Sequence, residues 1–115
     1  MTRVLLGVAL VAAGCARSSA PEPLRVAVAT ADGGTRLTLV AAPGLKINAR
    51  LAPALELRDG GIVRFRSPQL TPDSAYFSAP PSAFVPGSDR RPHGRLRASV
   101  CDAGATVCHA LVVEI

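Results

Sequence analysis

The chain has 115 residues, is 49% hydrophobic but only 3% aromatic, contains no Trp, and carries a formal charge of +5. At that length one small domain is expected once a targeting segment is set aside. Nearly all the cations are Arg, and they alternate with apolar residues, as in Val63-Arg64-Phe65-Arg66 and Arg95-Leu96-Arg97-Ala98. That pattern describes the solvated face of strands rather than a basic helix, and with so few aromatics to stack bases no nucleic-acid partner is expected.

Met1-Thr2-Arg3 is a basic lead and Val4 to Ala13 an apolar run, with small residues before Cys15, as a secretory signal requires. The run is about ten residues, too short for the roughly 20 that cross a bilayer. Val11-Ala12-Ala13-Gly14-Cys15 resembles a bacterial lipobox, in which the cysteine thiol is acylated and becomes the first residue of the mature chain. The resemblance implies a lipoprotein signal over 1–14, a lipidated tether over 15–23 and a domain over 24–115, anchored to a membrane of the cell envelope through lipid on Cys15 and facing the periplasm. Loss of Arg3 with the signal lowers the charge to +4.

Beyond the tether the apolar period is two. Leu24 to Ala29 and Thr35 to Val40 alternate around Asp32-Gly33-Gly34 and predict a hairpin. Pro43-Gly44 breaks the chain. Leu45 to Ala49 and Ala54 to Arg58 predict two further strands around Pro53, and Asp59-Gly60-Gly61 turns into a strand over Ile62 to Arg66. Ser67 to Pro92 is rich in Pro and Ser and reads as long loop with at most one or two short strands. Arg95 to Cys101 and Val107 to Ile115 close the chain. About seven short strands without helical periodicity predict an all-β, immunoglobulin-like antiparallel sandwich.

The last two strands define their own register. With Gly104-Ala105 as a two-residue turn, Cys101 falls opposite Cys108, Ala98 opposite Leu111, Leu96 opposite Val113 and Arg95 opposite Glu114. Leu96, Ala98, Val100, Val107, Leu111 and Val113 then point inward, and both cysteines point outward, within bridging distance and within reach of a partner. His109 is placed opposite Val100 on the buried side, its awkward consequence. A bridge there closes a loop of about eight residues and is either a staple for the hairpin or a reactive pair. A metal site of Cys101, Cys108, His93 and His109 is disfavoured, because alternation separates His109 from Cys108. No cofactor is called for, and no nucleophilic elbow, phosphate loop or carboxylate pair points to hydrolysis.

Pro43-Gly44-Leu45-Lys46-Ile47-Asn48-Ala49, Leu55-Glu56-Leu57, and Gly94 to Cys101 followed by Cys108 resemble the N-terminal periplasmic domain of the DsbD disulfide reductases. The resemblance implies an immunoglobulin-like sandwich with Cys101 and Cys108 as a redox pair. It also implies a cap loop containing Asp73, Tyr76 and Phe77, electron exchange with thioredoxin-like periplasmic proteins, and a separate membrane protein as donor. The sequence departs from the family in separating the cysteines by six residues instead of five, and in placing Leu45-Lys46 where aromatics are usual. The alternative function is a non-catalytic structural or partner-binding lipoprotein whose Cys101–Cys108 disulfide is only a staple.

Overall fold

The structure, a computed structural model, describes residues 22–87, 91–104 and 107–115. The signal over 1–14, Cys15, all of the tether except Glu22 and Pro23, and Ala105 of the last turn lie outside the described residues. The described chain is all-β, with eight strands: β1 (Leu24–Ala31), β2 (Gly34–Ala41), β3 (Leu45–Ile47), β4 (Ala54–Leu57), β5 (Ile62–Arg64), β6 (Ser82–Pro86), β7 (Gly94–Asp102) and β8 (Cys108–Glu114). All pair antiparallel, in two sheets.

The smaller sheet runs β1-β2-β6. Its first hairpin turns at Asp32-Gly33, where Gly33 has φ 77°, a left-handed conformation that a side chain disfavours. The predicted third turn residue, Gly34, instead opens β2, opposite Ala31. Alternation along β2 buries Thr35, Leu37 and Leu39 and leaves Arg36 exposed, so the sequence period becomes one face packed and one face wet.

The larger sheet is organised by β7. One edge of β7 is taken by β8 along its length. The other edge is shared in succession, with β4 opposite residues 94–97 and β3 opposite residues 100–102. β5 pairs with the far edge of β4. The chain then changes sheets: just past β5, Arg66 exchanges two backbone hydrogen bonds of 2.9 Å with Ser82 of β6. Phe65, at the crossing, is fully buried.

The core fills the space between the sheets, with Leu37, Leu39, Ala83 and Val85 from one side and Ile47, Leu55, Leu96, Ala98 and Val100 from the other. Burial of a side chain such as Leu55 or Leu96, both at 0–1% exposure, contributes about 1.5–3 kcal/mol. The loop from Ser67 is irregular as expected, containing β6 and an isolated bridge between Leu70 and Phe77.

The register of the last hairpin agrees with the sequence pair by pair: Cys101 with Cys108, Ala98 with Leu111, Leu96 with Val113, Arg95 with Glu114. Three burial expectations do not hold. Val107, expected inward, is 51% exposed. His109 does lie opposite Val100 but is exposed. From this strand and the residue after it, only Leu111, Val113 and Ile115 pack against the core, so an inward parity nearer the turn brings no cover. The third, at Cys101, concerns the site.

Candidate functional site

The disulfide joins Cys101 to Cys108 across the β7–β8 ladder, with Cα atoms 3.9 Å apart. The hydrogen bonds explain why these two positions can be bridged. Gly94 and Ile115 exchange backbone bonds of 3.1 and 3.0 Å, and the Asp102 N–H donates to the Val107 carbonyl at 3.1 Å. Bonded pairs alternate along an antiparallel ladder, so Cys101 and Cys108 form one of the closer, non-bonded pairs.

The two sulfurs sit in different surroundings. Cys108 is exposed, at the turn end of a strand that pairs on one side only among the described residues. Cys101 has 0% exposure. The expectation that both cysteines are reachable is therefore corrected for Cys101. Side-chain alternation does turn it away from Leu96, Ala98 and Val100, but the outer face is covered at this end. Lys46 of β3 lies directly opposite Cys101 on the side away from Cys108. The connection from β3 to β4 passes beside the next position: Leu51 and Ala52 join Ser99, Ala110 and Val112 around a shallow depression of ≈ 240 Å³, and Ser99 is buried as well. Sequence alternation reports which face a residue takes, not whether another segment lies over that face.

The loop expected to act as a cap is placed beside β3. Its Tyr76 bridges to Asn48, and the Asn48 N–H donates to the Ser99 carbonyl at 2.9 Å. Tyr76, Asn48 and Ser99 thus form one row across the sheet, two residues along from the row of Lys46, Cys101 and Cys108 and on the same face. The Lys46 ammonium spans the rows, 5.2 Å from the centre of the Tyr76 ring, a cation–π contact. Phe77 has the opposite parity and packs against the core.

Asp73 sits in the tight turn that returns Thr71 to Tyr76. Its carboxylate accepts from the Thr71 hydroxyl at 2.6 Å and from the Ala75 N–H at 3.1 Å, while its own carbonyl accepts from Arg50 at 3.2 Å. The Thr71 hydrogen bond, more than any other influence, holds the carboxyl below its ordinary value. Ser74 next to it has φ 58°, a strained conformation for a residue other than Gly. The structure therefore brings Tyr76 to the face of the disulfide, turns Phe77 inward, and engages the Asp73 carboxylate within its own loop.

Lys46 is the residue at this site that the sequence did not single out. The alternation of Leu45-Lys46-Ile47 marks it as outward-facing, but its place beside Cys101 depends on the pairing of β3 with β7, between strands more than fifty residues apart. No group of three or more His, Cys, Asp or Glu able to hold a metal occurs among the described residues.

Chemically the site is a disulfide between one exposed cysteine and one fully buried cysteine. Of the two residues it joins, Cys108 is the one presented to solvent. Compared with known proteins, the chain matches no family model, no curated protein and no solved structure.

Proposed function

We propose that this chain is a membrane-anchored envelope lipoprotein whose domain exchanges thiol–disulfide electrons through Cys101 and Cys108. The observation that carries the reading is the asymmetry of the pair, Cys108 exposed on an open strand and Cys101 fully buried behind it. A partner thiolate attacks Sγ of Cys108, the S–S electron pair leaves on Sγ of Cys101, and a mixed disulfide forms at Cys108. A second thiolate of the partner then displaces Cys108, so the partner leaves oxidised and the domain holds two thiols. In the reverse direction Cys108 is the attacking thiolate and Cys101 resolves. The partners are thioredoxin-like periplasmic proteins, with a separate membrane protein as electron donor and lipid on Cys15 holding the module at the membrane. The resemblance to DsbD-type domains and the lipobox-like run before Cys15 support those assignments.

The reduction potential tests the reading. An exchanging pair equilibrates with a glutathione buffer, and the Cys101→Ala variant accumulates mixed disulfides at Cys108 because the resolving thiol is gone. The full burial of Cys101 favours a second reading, a structural staple. A potential below about −300 mV, with no mixed disulfide trapped by either single-cysteine variant, selects the staple.

A further inference from the structure

We propose that the open edge of β8 is the docking surface for an extended, cysteine-bearing segment of a partner protein. The segment carries an acidic residue and adds to the larger sheet as an antiparallel strand with its cysteine opposite Cys108. This rests on exchange through Cys108 but not on a thioredoxin-like partner, whose reactive cysteine begins a helix; the occupant of this edge presents its cysteine on an extended segment instead.

Among the described residues β8 pairs with β7 alone. Val107 and Ile115 direct their backbone bonds to β7, so by alternation Cys108, Ala110, Val112 and Glu114 turn N–H and C=O outward. The strand Cys108-His109-Ala110-Leu111-Val112-Val113-Glu114 contains neither Pro nor Lys, the residues with which exposed edges are commonly blocked. β1 is also paired on one side only, but the exposed cysteine belongs to β8.

The register places the chemistry. In an added antiparallel strand, the residue opposite Cys108 forms a hydrogen-bonded pair with Cα atoms about 5.5 Å apart, inside the roughly 4.4–6.8 Å that a disulfide spans. Opposite side chains share a face, so a partner cysteine there lies in line with Cys108 and Cys101 across the sheet. Attacking, central and leaving sulfurs are thereby ordered as displacement requires. The partner thiolate bonds to Sγ of Cys108 and the electron pair of the broken S–S bond passes to Sγ of Cys101.

Charge selects the segment. Arg64 and Arg97 flank Ala54 in one row, and Val112 lies opposite Arg97. Neither arginine has an ion pair among the described residues, where the pair found is Arg95 with Glu114. Val112, 57% exposed, and Leu51, 66% exposed, supply an apolar floor. A partner residue opposite Val112 lies two strand spacings, about 10 Å, from Arg97, a gap that Glu and Arg side chains span together. In the antiparallel register this is the fourth residue before the partner cysteine.

The test uses the full chain and the capped peptide Thr-Glu-Thr-Val-Thr-Cys-Thr, with glutathione as the undocked thiol. The peptide is expected to open the bridge about tenfold faster than glutathione at equal thiolate concentration, because docking makes the attack effectively intramolecular. N-methylation of its Glu, Val and Cys amides, which face β8, removes the advantage; N-methylation of its Thr amides does not. Arg97→Ala lowers the peptide rate and leaves the glutathione rate unchanged. Equal effects of the two methylation patterns, or no advantage where glutathione opens the bridge, overturn the docking proposal. If no thiol opens the bridge, the exchange reading fails, and docking is read separately from amide NMR shifts produced by the peptide with Ser in place of Cys. Shifts along Cys108 to Glu114 sustain it, and their absence overturns it.

Discussion

The Arg95 guanidinium donates to the Glu114 carboxylate at 2.9 Å, at the opposite end of the same ladder from the Cys101–Cys108 bridge. The final hairpin is therefore fastened at both ends, covalently at the turn and ionically at the mouth. The two fastenings differ in strength. The hydrogen bond and charge of Glu114 raise the Arg95 pKa, but both side chains are more than half exposed, so water and salt screen the pair. Glu114→Gln is expected to lower the thermal midpoint only slightly at low salt and not measurably at high salt, a comparison that calorimetry at two ionic strengths makes directly.

The covalent end is expected to matter more. Closing a loop of about eight residues restricts the unfolded chain by about 2.5 kcal/mol in the chain-entropy model. The Cys101→Ala/Cys108→Ala double variant should lose roughly that much in denaturant unfolding while keeping the β7–β8 register. A loss far larger means that the buried Cys101 side chain contributes packing beyond its bond.

Asp73 gives a pH-dependent expectation with a definite sign. Its folded pKa lies below the ordinary aspartate value, so its contribution to stability is present above the unfolded pKa and is lost as pH falls through the folded one. An NMR titration should find Asp73 titrating below ordinary exposed carboxylates, and Thr71→Val should move it back up, because the Thr71 hydroxyl is the leading cause of the shift. An unchanged midpoint in Thr71→Val would refute that assignment.

Phe65 and Gly94 test the joints of the sandwich. Phe65→Ala removes a fully buried ring at the point where the chain changes sheets and should cost about 3–5 kcal/mol. Gly94 begins β7 opposite Leu57, and a Cβ there would collide with the backbone of Glu56. Gly94→Ala should therefore loosen the β4–β7 pairing, seen as faster amide exchange in Leu55 to Leu57. Normal exchange in that variant would show that the strands shift to make room.

These residues also mark what the sequence made legible. The hairpins were readable because their information is local: alternation sets the face, turn residues set the ends, and the face agreement of Cys101 with Cys108 and Leu96 with Val113 admits one register. The sharing of one β7 edge by β3 and β4 was not readable, because neither strand carries a mark naming its distant partner. The burial of Cys101 depends on that sharing, as does the place of Lys46 beside it. Tyr76 and Phe77, adjacent in a loop rich in turn residues, diverge because bridging to Asn48 gives the segment a strand-like parity that its composition conceals.

The position of β7 has a consequence for how the molecule comes together in time. Three strands, β3, β4 and β8, pair with this one, yet it is the seventh of eight in chain order. A chain delivered from its N-terminus first can close the local β1–β2 and β4–β5 hairpins early, but the larger sheet must wait for residues 94–102. Such a dependence on distant pairing slows assembly. During that wait Cys101 and Cys108 are both accessible, and oxidation before the strands align seals the hairpin ahead of its sheet. Refolding started from the oxidised chain is therefore expected to outpace refolding from the reduced one, with the formation of β7 setting the rate in both.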